Sequence, residues 1–518
     1  MFRVRRVLGP TALNTMKKQI IANHTRHEIR IALLENGAVS EIFFERIKNK
    51  SAVGNIYKGR ILKILPGMES AFVDIGLEKA GFLYVTDIRT ETQQIDFENG
   101  KNENNEKSRR QEDKERERPN ISSLIREGQD IMVQVSKGAI GTKGARISCN
   151  VAIPGRNLVF MPHANSVGIS RQIRDEKERA RLRRIVSHLK PEGTGFIVRT
   201  VASERYEDEF KLDIDYLTSS WASVERRYKT YRAPAILYED LNLTFRTIRD
   251  TLSHDVDALV IDDENEYEKV KKYLAAYLPR YSNKLKHFRY KSSIFDAYGV
   301  TKELDRALSR KVWLKSGGHL VFDHTEALTA VDVNTGRFTG SSSHEDTILT
   351  TNLEAAVQIA YQLKLRDIGG IIIIDFIDME SPENRQTVYN TLRNELKRDK
   401  ARTKVLPISE IGLVEMTRKR NRENLGRYLK TTCPYCNGTA RVRSPATTIY
   451  EIYQEVTRIS KEGNAPQNLL VGMHPDVAEY FETDELDTFR MMERKIKGSI
   501  SIQTSEKYHY GQYELLEL

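Results

Sequence analysis

Cysteine is scarce in this sequence. Only three cysteines, Cys149, Cys433 and Cys436, occur among 518 residues. Three are too few for a disulfide framework, so they favour a reducing, cytoplasmic location. No run of about 18 or more apolar residues occurs, and the sequence therefore predicts no membrane span. The basic N-terminal stretch also lacks the continuous apolar segment of a secretory signal.

Charge, by contrast, is abundant. Lysine and arginine number 82 against 72 aspartates and glutamates, which gives a net charge of +10. This excess suits a polyanionic partner such as nucleic acid, although many soluble proteins are similarly basic. The most charged stretch, residues 91–120, has almost no apolar side chains and predicts a solvated loop.

Hydrophobic patterning predicts several mixed α/β units. Alternating apolar residues over 20–50, with a turn at 35–37, predict a β-hairpin, and residues 51–88 predict a meander of short strands. Strand and helix patterns alternate from 319 to 399, which predicts a layered α/β domain. In such sheets, functional sites form at the carboxyl ends of the strands.

Two aspartates stand at such strand ends. In TAVDVNTG (329–336), the alternation places Asp332 and Asn334 on one face of a strand. In GGIIIIDFIDM (369–379), four isoleucines predict a strand buried on both faces, and Asp375 is the first residue beyond them. Two carboxylates and an amide suit Mg²⁺, which can polarise a phosphoryl oxygen and activate a water molecule.

A structural role is the alternative for this pair. Aspartates at strand ends also cap helices or pair with arginines, and the spacing alone favours that interpretation. The candidate arginine partners are Arg337, Arg366 and Arg385. Arg402 is a candidate for a phosphate contact near the pair, with a solvated surface position as an equal alternative.

Aromatic and basic residues occur together within and after the predicted meander. Phe72 and Phe82 lie near strand ends, and Lys58, Lys63 and Lys137 are candidates for phosphate contacts. Oligonucleotide-binding barrels present such a mixture, because bases stack on exposed rings. From the pattern alone, however, both rings are more readily explained as core residues.

The cysteine pair forms another candidate site. Cys433-Pro-Tyr-Cys436 has the spacing of a zinc knuckle, but a tetrahedral site needs four ligands. Cys149 is remote in sequence and is expected to be a buried apolar residue. The simplest completion is the same pair from a second subunit, across a two-fold axis. A redox pair is the rival interpretation, without the strand–CxxC–helix context of thioredoxins.

Six motifs together resemble the ribonuclease E/G family of bacterial endoribonucleases. They are EALTAVDVNTG, TTNLEAA, LRDIGGIIIIDFIDM, GLVEMTRKR, VGNIYKGRILKILPGMESAFVDIGLEKAGFL and GTKGARIS. The resemblance covers nearly the whole chain, from about residue 17 onward. No long tail follows the last predicted unit, so we expect a shorter member of the family.

The resemblance implies an α/β multidomain fold. The implied parts are an RNase H-like subdomain (1–50 and 241–305), an inserted S1 barrel of the OB-fold type (51–150) with the charged insert 91–120, a 5′-sensor region (151–240), a DNase I-like catalytic domain (306–430), a zinc link (431–443) and a small C-terminal αβ domain (444–518).

The resemblance also implies an activity. That activity is Mg²⁺-dependent hydrolysis of single-stranded RNA to 5′-phosphate and 3′-hydroxyl ends, in rRNA maturation and RNA decay. The resemblance implies that Asp332 and Asp375 bind Mg²⁺ and carry out catalysis together with Asn334. It implies that Phe72, Phe82 and Lys137 contact RNA. It also implies that Cys433 and Cys436 bind a structural Zn²⁺ shared between subunits of a homodimer or homotetramer.

Arg199 and Thr200 end the predicted strand FIVRT (196–200). A guanidinium can hold a phosphate bidentately and a hydroxyl adds a bond, although such a pair more often forms a surface salt bridge. The resemblance implies that this pair binds a 5′-monophosphate on the RNA. The further implied residues of this 5′-phosphate site are Gly155, Val159 and Arg171. The stretch after Thr200, VASERYEDEF, departs from the family pattern because it lacks the usual glycines.

A non-catalytic protein is the alternative function. An S1-containing RNA-binding or scaffold protein would keep the barrel and lose an acid at 332 or 375. This sequence retains both acids.

Overall fold

The computed structural model of the chain describes residues 17–48, 50–88, 120–139, 144–336, 344–409, 411–420, 422–461 and 467–518. The chain divides into two compact units, Met1–Asn421 and Arg422–Leu518. No helix in the described ranges is long and apolar enough to cross a membrane. The predicted charged insert, 91–120, lies almost entirely outside those ranges. Arg337, a candidate ion-pair partner of the two aspartates, also lies outside them.

The described residues of both units form short strands. In chain order they are β1 (Lys18–His24), β2 (Glu28–Glu35), β3 (Ala38–Arg46), β4 (Ile56–Leu65), β5 (Ser70–Asp74), β6 (Gly81–Tyr84), β7 (Asp130–Lys137), β8 (Arg146–Ser148), β9 (Ile153–Pro154), β10 (Leu158–Met161), β11 (Val167–Ile169), β12 (Gly195–Val198), β13 (Ala235–Tyr238), β14 (Val256–Ile261), β15 (Leu285–His287), β16 (Lys311–Trp313), β17 (His319–His324), β18 (Leu328–Asn334), β19 (Gly370–Asp375), β20 (Thr403–Val405), β21 (Leu413–Arg418), β22 (Asn468–Met473), β23 (Ser499–Thr504) and β24 (Tyr513–Glu517).

Helices connect and cover these strands. They are α1 (Ile121–Leu124), α2 (Glu176–Leu189), α3 (Glu207–Thr230), α4 (Leu243–Thr251), α5 (Glu264–Tyr277), α6 (Ile294–Ala297), α7 (Val300–Leu308), α8 (His344–Leu365), α9 (Pro382–Leu396), α10 (Leu425–Leu429), α11 (Pro445–Lys461), α12 (Pro475–Thr483) and α13 (Leu486–Ile496).

Sheet A has the strand order β15-β14-β1-β2-β3 and contains the predicted hairpin. Strands β2 and β3 are antiparallel, and the turn between them has positive φ at Asn36 (53°) and Gly37 (80°). A tight hairpin turn requires two such residues, which explains the Asn-Gly sequence. Strand β1 also pairs in parallel with β14, so two segments distant in sequence share this sheet.

The strands β4, β5, β6, β8 and β7 close into a barrel. Neighbours in that order are hydrogen-bonded, and β4 also pairs with β7. The barrel interior is apolar and fully buried, with Val73, Leu83 and Ile147 among its residues. The barrel that the family resemblance implies within 51–150 is therefore confirmed.

Sheet B has the order β11-β12-β10-β9 and is packed against α2 and α3. The 24-residue helix α3 was not predicted from the sequence. Its buried residues recur every three or four positions, from Phe210 through Leu217 and Trp221 to Val224, which is the period of an amphipathic helix. This period can be read from the sequence, and the helix begins within the stretch VASERYEDEF that departs from the family pattern.

Sheet C has the order β16-β17-β18-β19-β21-β20 and completes the first unit. One face packs against α8 and α9, where Val331, Val333, Ile372 and Ile374 are buried. On the other face Ile371 is 50% exposed. The prediction that the isoleucine strand is buried on both faces is wrong, because α8 and α9 cover one face of sheet C and Ile371 is exposed on the other.

A buried ion cluster anchors the start of β19. Arg418 of β21 is in register with Gly370, and its guanidinium reaches Asp367 at 2.6 Å and Asp399 at 2.7 Å. All three charged side chains are almost completely buried. A paired cluster of this kind fixes the position of the strand that ends at Asp375.

The second unit is a small αβ layer. Its central strand β22 pairs in parallel with β23 and antiparallel with β24. Helices α11, α12 and α13 supply Ile452, Phe481 and Met492 to the core around Val471. The segment 430–444 precedes α11, has no helix or strand, and contains the two neighbouring cysteines.

Candidate functional site

The two predicted acids are direct neighbours on sheet C. Strands β18 and β19 are parallel, and Asp332 is in register with Asp375 at their carboxyl ends. Residues in register project to the same face of a sheet, and both side chains are exposed. Asn334 lies on that face too, and its Nδ2 donates to Oδ2 of Asp332 at 2.7 Å. The structure thus brings the three predicted residues together on the face of sheet C opposite α8 and α9.

Negative charge concentrates at this edge of sheet C. The pKa of the Asp375 carboxyl is raised above its usual value by partial burial and then by the charges of Asp332 and Asp378. Within the described residues, neither Asp332 nor Asp375 forms an ion pair. Like charges at close range repel, and a bound cation would relieve that repulsion.

The proposed arginine partners do not reach the acids. Arg366 is buried and lies 4.3 Å from the centre of the Phe322 ring. Arg385 donates to the carbonyl oxygen of Glu380 at 3.5 Å. The structural interpretation of the acids is therefore wrong for these two arginines.

Arg402 is not beside the acids either. Arg402 directly precedes Thr403, the first residue of β20. Thr403 is in register with Arg418 of β21, and Arg418 is in register with Gly370 at the start of β19. Asp375 is at the opposite end of β19, about 17 Å away at about 3.3 Å per residue. Arg402 is exposed and remains a predicted RNA contact, but the expected phosphate contact near the acids is wrong.

A buried asparagine fixes the loop beyond β19. Asn352 of α8 is fully buried, and its amide Nδ2 donates to the Ile377 carbonyl at 2.8 Å. Its Oδ1 accepts from the Ile377 N–H at 3.2 Å, so one side chain satisfies both backbone groups. The motif TTNLEAA contains Asn352, and the sequence alone assigns this residue no role. Gln358 and Gln362 are amides of the same helix, so the sequence offers no signal that singles out Asn352.

The same loop is confined from its other side. Gly412 has a φ of +81°, and a Cβ placed on it would lie 3.0 Å from Oδ1 of Asp378. Glycine is the residue that adopts this backbone conformation without strain. The loop that carries Asp378 is therefore held between Asn352 and the turn before β21.

The donor set fits a hard divalent cation. Two carboxylates from adjacent strands face the same open side, and Mg²⁺ usually takes one or two carboxylates while keeping several waters. No group of three or more Asp, Glu, His or Cys side chains suited to a metal occurs among the described residues. Water and substrate oxygens would have to complete the coordination.

The predicted RNA-contacting residues form a row across the barrel. Phe72 is in register with Phe82, Phe82 with Arg146, and Arg146 with Lys137. The two rings meet edge to face with their centroids 5.8 Å apart. Neither ring belongs to the buried barrel interior, and Phe72 is 37% exposed. The core interpretation of these rings is wrong, and we call the four residues the aromatic–basic row.

Two lysine candidates on the barrel differ in position. Lys63 is exposed and in register with Phe72, which extends the aromatic–basic row on its other side. The Nζ of Lys58 instead donates to the carbonyl oxygens of Tyr228 and Tyr231 at 3.0 Å, and its side chain is only 14% exposed. The predicted phosphate contact of Lys58 is therefore wrong.

Arg146 is a member of the row that sequence reasoning missed. It lies in the quoted motif GTKGARIS, and its guanidinium forms a salt bridge with Asp87 at 2.8 Å. Arg146 lies beside Phe82 because β8 pairs with β6, and these two strands are more than about 60 residues apart in the sequence.

Arg199 lies immediately after β12, as predicted. Its Nη1 donates to the Gly155 carbonyl and to Oδ1 of Asp250, each at 2.7 Å. The salt bridge expected for such an arginine is thus present, between Arg199 and Asp250. The guanidinium of Arg199 also keeps its hydrogen bond to the Gly155 carbonyl. A Cβ on Gly155 would lie 2.5 Å from Oδ1 of Asp213, so only glycine fits there.

The other 5′-phosphate candidates surround Arg199 and Thr200. The Thr200 hydroxyl lies 2.9 Å from the Ser170 hydroxyl and donates to Oε1 of Gln172 at 3.0 Å. Arg171 is exposed between those two residues. Val159 is in register with Ile197, two residues before Arg199. The structure therefore gathers the five predicted residues at one end of sheet B.

The cysteine pair has one activated thiol. Cys433 is exposed, and hydrogen bonds from the backbone N–H groups of Cys436 and Tyr435 lower the pKa of its thiol. The thiolate is the form that binds metals. Among the described residues of this chain, no third ligand completes a metal site with the pair. Cys149 is buried in the barrel, as predicted.

Comparison with known proteins identifies the class. The model of the ribonuclease E/G family matches residues 152–421, and the chain belongs to this family. Its relatives include Ribonuclease G of Escherichia coli (strain K12), which is 40% identical over 97% of this chain and 100% of that protein. Ribonuclease G of Haemophilus influenzae is also 40% identical, over 96% of this chain and 99% of that protein. Ribonuclease E of Escherichia coli (strain K12) is 33% identical over 93% of this chain but only 44% of that protein. The family resemblance inferred from the motifs is confirmed.

Proposed function

We propose that the chain is an endoribonuclease that cuts single-stranded RNA with the help of a divalent cation. The observation that carries this proposal is the pairing of Asp332 with Asp375 on the uncovered face of sheet C. Family membership and the similarity to Ribonuclease G support it. The products would carry 5′-phosphate and 3′-hydroxyl ends, and the setting would be rRNA maturation and RNA decay.

The acids would bind Mg²⁺, which supplies polarisation of a phosphoryl oxygen and activation of a water molecule. The hydrogen bond from Asn334 holds the Asp332 carboxylate in one orientation. Asn352 holds the loop beyond Asp375 in place. The uncovered face of sheet C leaves both carboxylates accessible to an extended strand.

The barrel would hold the RNA. In the aromatic–basic row, bases would stack on Phe72 and Phe82 while Arg146 and Lys137 face phosphates. Stacking tolerates any base, so this contact contributes affinity rather than sequence preference. Arg402 would contact a phosphate farther along the chain.

Sheet B would bind the 5′-end of the RNA. The guanidinium of Arg199 and the hydroxyl of Thr200 suit a terminal monophosphate, with Arg171 supplying further positive charge. In the terms of the family, sheet A is then the RNase H-like subdomain, the barrel the S1 domain, sheet B the 5′-sensor and sheet C the DNase I-like domain.

A cleavage assay tests this function. We expect a 5′-monophosphorylated, A/U-rich single-stranded oligonucleotide to be cut in Mg²⁺ and to stay intact in EDTA, with activity restored by excess Mg²⁺. A 5′-hydroxyl oligonucleotide of the same sequence should be cut about tenfold more slowly, since it lacks the charged hydrogen bonds to Arg199. Mapped product ends identify the bond that breaks. Equal cleavage in EDTA contradicts the metal mechanism, and RNA binding without cleavage favours the scaffold alternative.

The cysteine pair would link subunits through zinc. Each chain would contribute Cys433 and Cys436 to a tetrahedral site on a two-fold axis. We expect about one Zn²⁺ per two chains by elemental analysis, and both the metal and the dimer should disappear in Cys433→Ser. Cys149→Ala, at the buried cysteine, is the matched control and should keep both. A wild-type protein without zinc, or an assembly unchanged by Cys433→Ser, contradicts the proposal.

A further inference from the structure

Trp313 is an exposed tryptophan on the same face of sheet C as the acids. Trp313 is 58% exposed. It is in register with His319 of β17, and His319 is in register with Asn334 of β18. Because residues in register share a face, these three side chains form a line across β16, β17 and β18. Neighbouring strands lie about 4.8 Å apart, so Trp313 stands about 10 Å from Asn334.

The ammonium group of Lys311 lies over one face of the Trp313 ring. Lys311 is in register with Val321, and Val321 with Asp332, so Lys311 projects to the same face as the acids. Its Nζ lies 4.3 Å from the centre of the Trp313 ring. An aromatic face together with an adjacent ammonium group is the combination that binds single-stranded nucleic acid.

The apolar core does not account for Trp313. The buried cluster of sheet C lies on the opposite face, against α8 and α9, and Trp313 is not a member of it. His319 contacts the ring with centroids 5.3 Å apart, and the backbone carbonyl of Trp313 accepts from Nη2 of Arg306 at 2.9 Å. The backbone is therefore anchored while more than half of the side chain stays open.

We propose that Trp313 stacks on the base of a nucleotide next to the scissile phosphate, with Lys311 facing the adjoining phosphate. This inference rests on the proposed function, because it takes the pair Asp332 and Asp375 as the point of cleavage. Asp332 is two residues from Asn334 along β18, so the same strand spacings place it about 12 Å from Trp313. A base on Trp313 would therefore belong to a nucleotide close to the point of cleavage. Trp313 is then a substrate-positioning residue, distinct from the aromatic–basic row on the barrel.

Tryptophan fluorescence measures this contact directly. The chain has two tryptophans, and the other, Trp221, is buried in the first unit, so quenching by acrylamide reports on Trp313. The test uses the Asp332→Asn/Asp375→Asn protein, which removes cleavage during the measurement. We expect a single-stranded oligonucleotide to shield Trp313 from acrylamide and to change its emission. In Trp313→Phe that response should vanish while RNA binding, followed by anisotropy, remains detectable.

Steady-state kinetics with wild-type acids give a second readout. Loss of one stacking ring is expected to raise KM about tenfold in Trp313→Ala, with kcat within about twofold. Trp313→Tyr keeps a ring and should recover most of the affinity. Tyr290→Ala removes a ring that is 78% exposed outside sheet C, and as the matched control it should leave KM unchanged. An abasic site at the contacted nucleotide should abolish the difference between wild type and Trp313→Ala.

The outcomes separate this inference from the proposed function. Suppose that RNA binds and is cut, but Trp313 stays open to acrylamide and Trp313→Ala keeps the wild-type KM. That result would overturn the inference about Trp313 alone. A wild-type protein that neither binds nor cuts single-stranded RNA would overturn the proposed function and this inference with it.

Discussion

The Asp332→Asn/Asp375→Asn variant will bind single-stranded RNA and will not cut it. The two substitutions keep the side-chain shapes and remove both charges from neighbouring strand ends, where a cation would bind. We expect the cleavage rate at saturating RNA to fall at least about 1000-fold, equivalent to about 4 kcal/mol of transition-state stabilisation. Gel analysis of an end-labelled oligonucleotide measures the rate, and fluorescence anisotropy measures binding.

A control variant separates this effect from a general loss of charge. Asp323 lies on the neighbouring strand β17 and is paired with Arg310 at 2.5 Å, so Asp323→Asn makes the same chemical change outside the pair. Its cleavage rate should stay within about threefold of wild type. Because the double substitution relieves repulsion between carboxylates, its thermal unfolding temperature in EDTA should not fall below that of wild type. Retained cleavage in the double variant, with contaminating nucleases excluded, refutes the role of these acids.

Removal of both barrel rings will weaken RNA binding. Phe72→Ala/Phe82→Ala eliminates the two aromatic members of the aromatic–basic row, which are not part of the barrel interior. Each ring stacked on a base contributes about 1–3 kcal/mol, so the dissociation constant should rise about 30-fold or more. Anisotropy titration with a fluorescent single-stranded oligonucleotide measures the change.

Aromatic replacements provide the matched comparison for the barrel. Phe72→Tyr/Phe82→Tyr retains both stacking faces and should bind RNA within about threefold of wild type. Circular dichroism should show the same secondary structure in both double variants, because the barrel core is untouched. An unchanged dissociation constant in the alanine variant would show that this face of the barrel does not hold RNA.

The sequence predicts most of what depends on local order. Alternation in 329–336 places Asp332 and Asn334 on one face, and the rule for strand ends brings Asp375 beside them. The meander likewise predicts the short strands β4, β5 and β6, because its turns and alternation are local signals. These features need no knowledge of which distant segments pack together.

The remaining features depend on tertiary pairing. Arg146 lies beside Phe82 because β8 pairs with β6. The register of β20 and β21 places Arg402 near the start of β19, at the end opposite Asp375. The isoleucine strand looks doubly buried in sequence, yet the helices of sheet C cover one face and leave Ile371 exposed. Neither register nor helix placement is encoded in the few residues around each site.

We propose above all that Asp332 and Asp375 together hold one divalent cation. Mn²⁺ takes the same oxygen ligands as Mg²⁺, and its electron paramagnetic resonance signal counts free and bound ions in a titration. We expect one bound Mn²⁺ at this site in the wild-type chain, displaced by excess Mg²⁺, and loss of that ion in both Asp332→Asn and Asp375→Asn. Equal stoichiometry and affinity in wild type and the two single variants would contradict it.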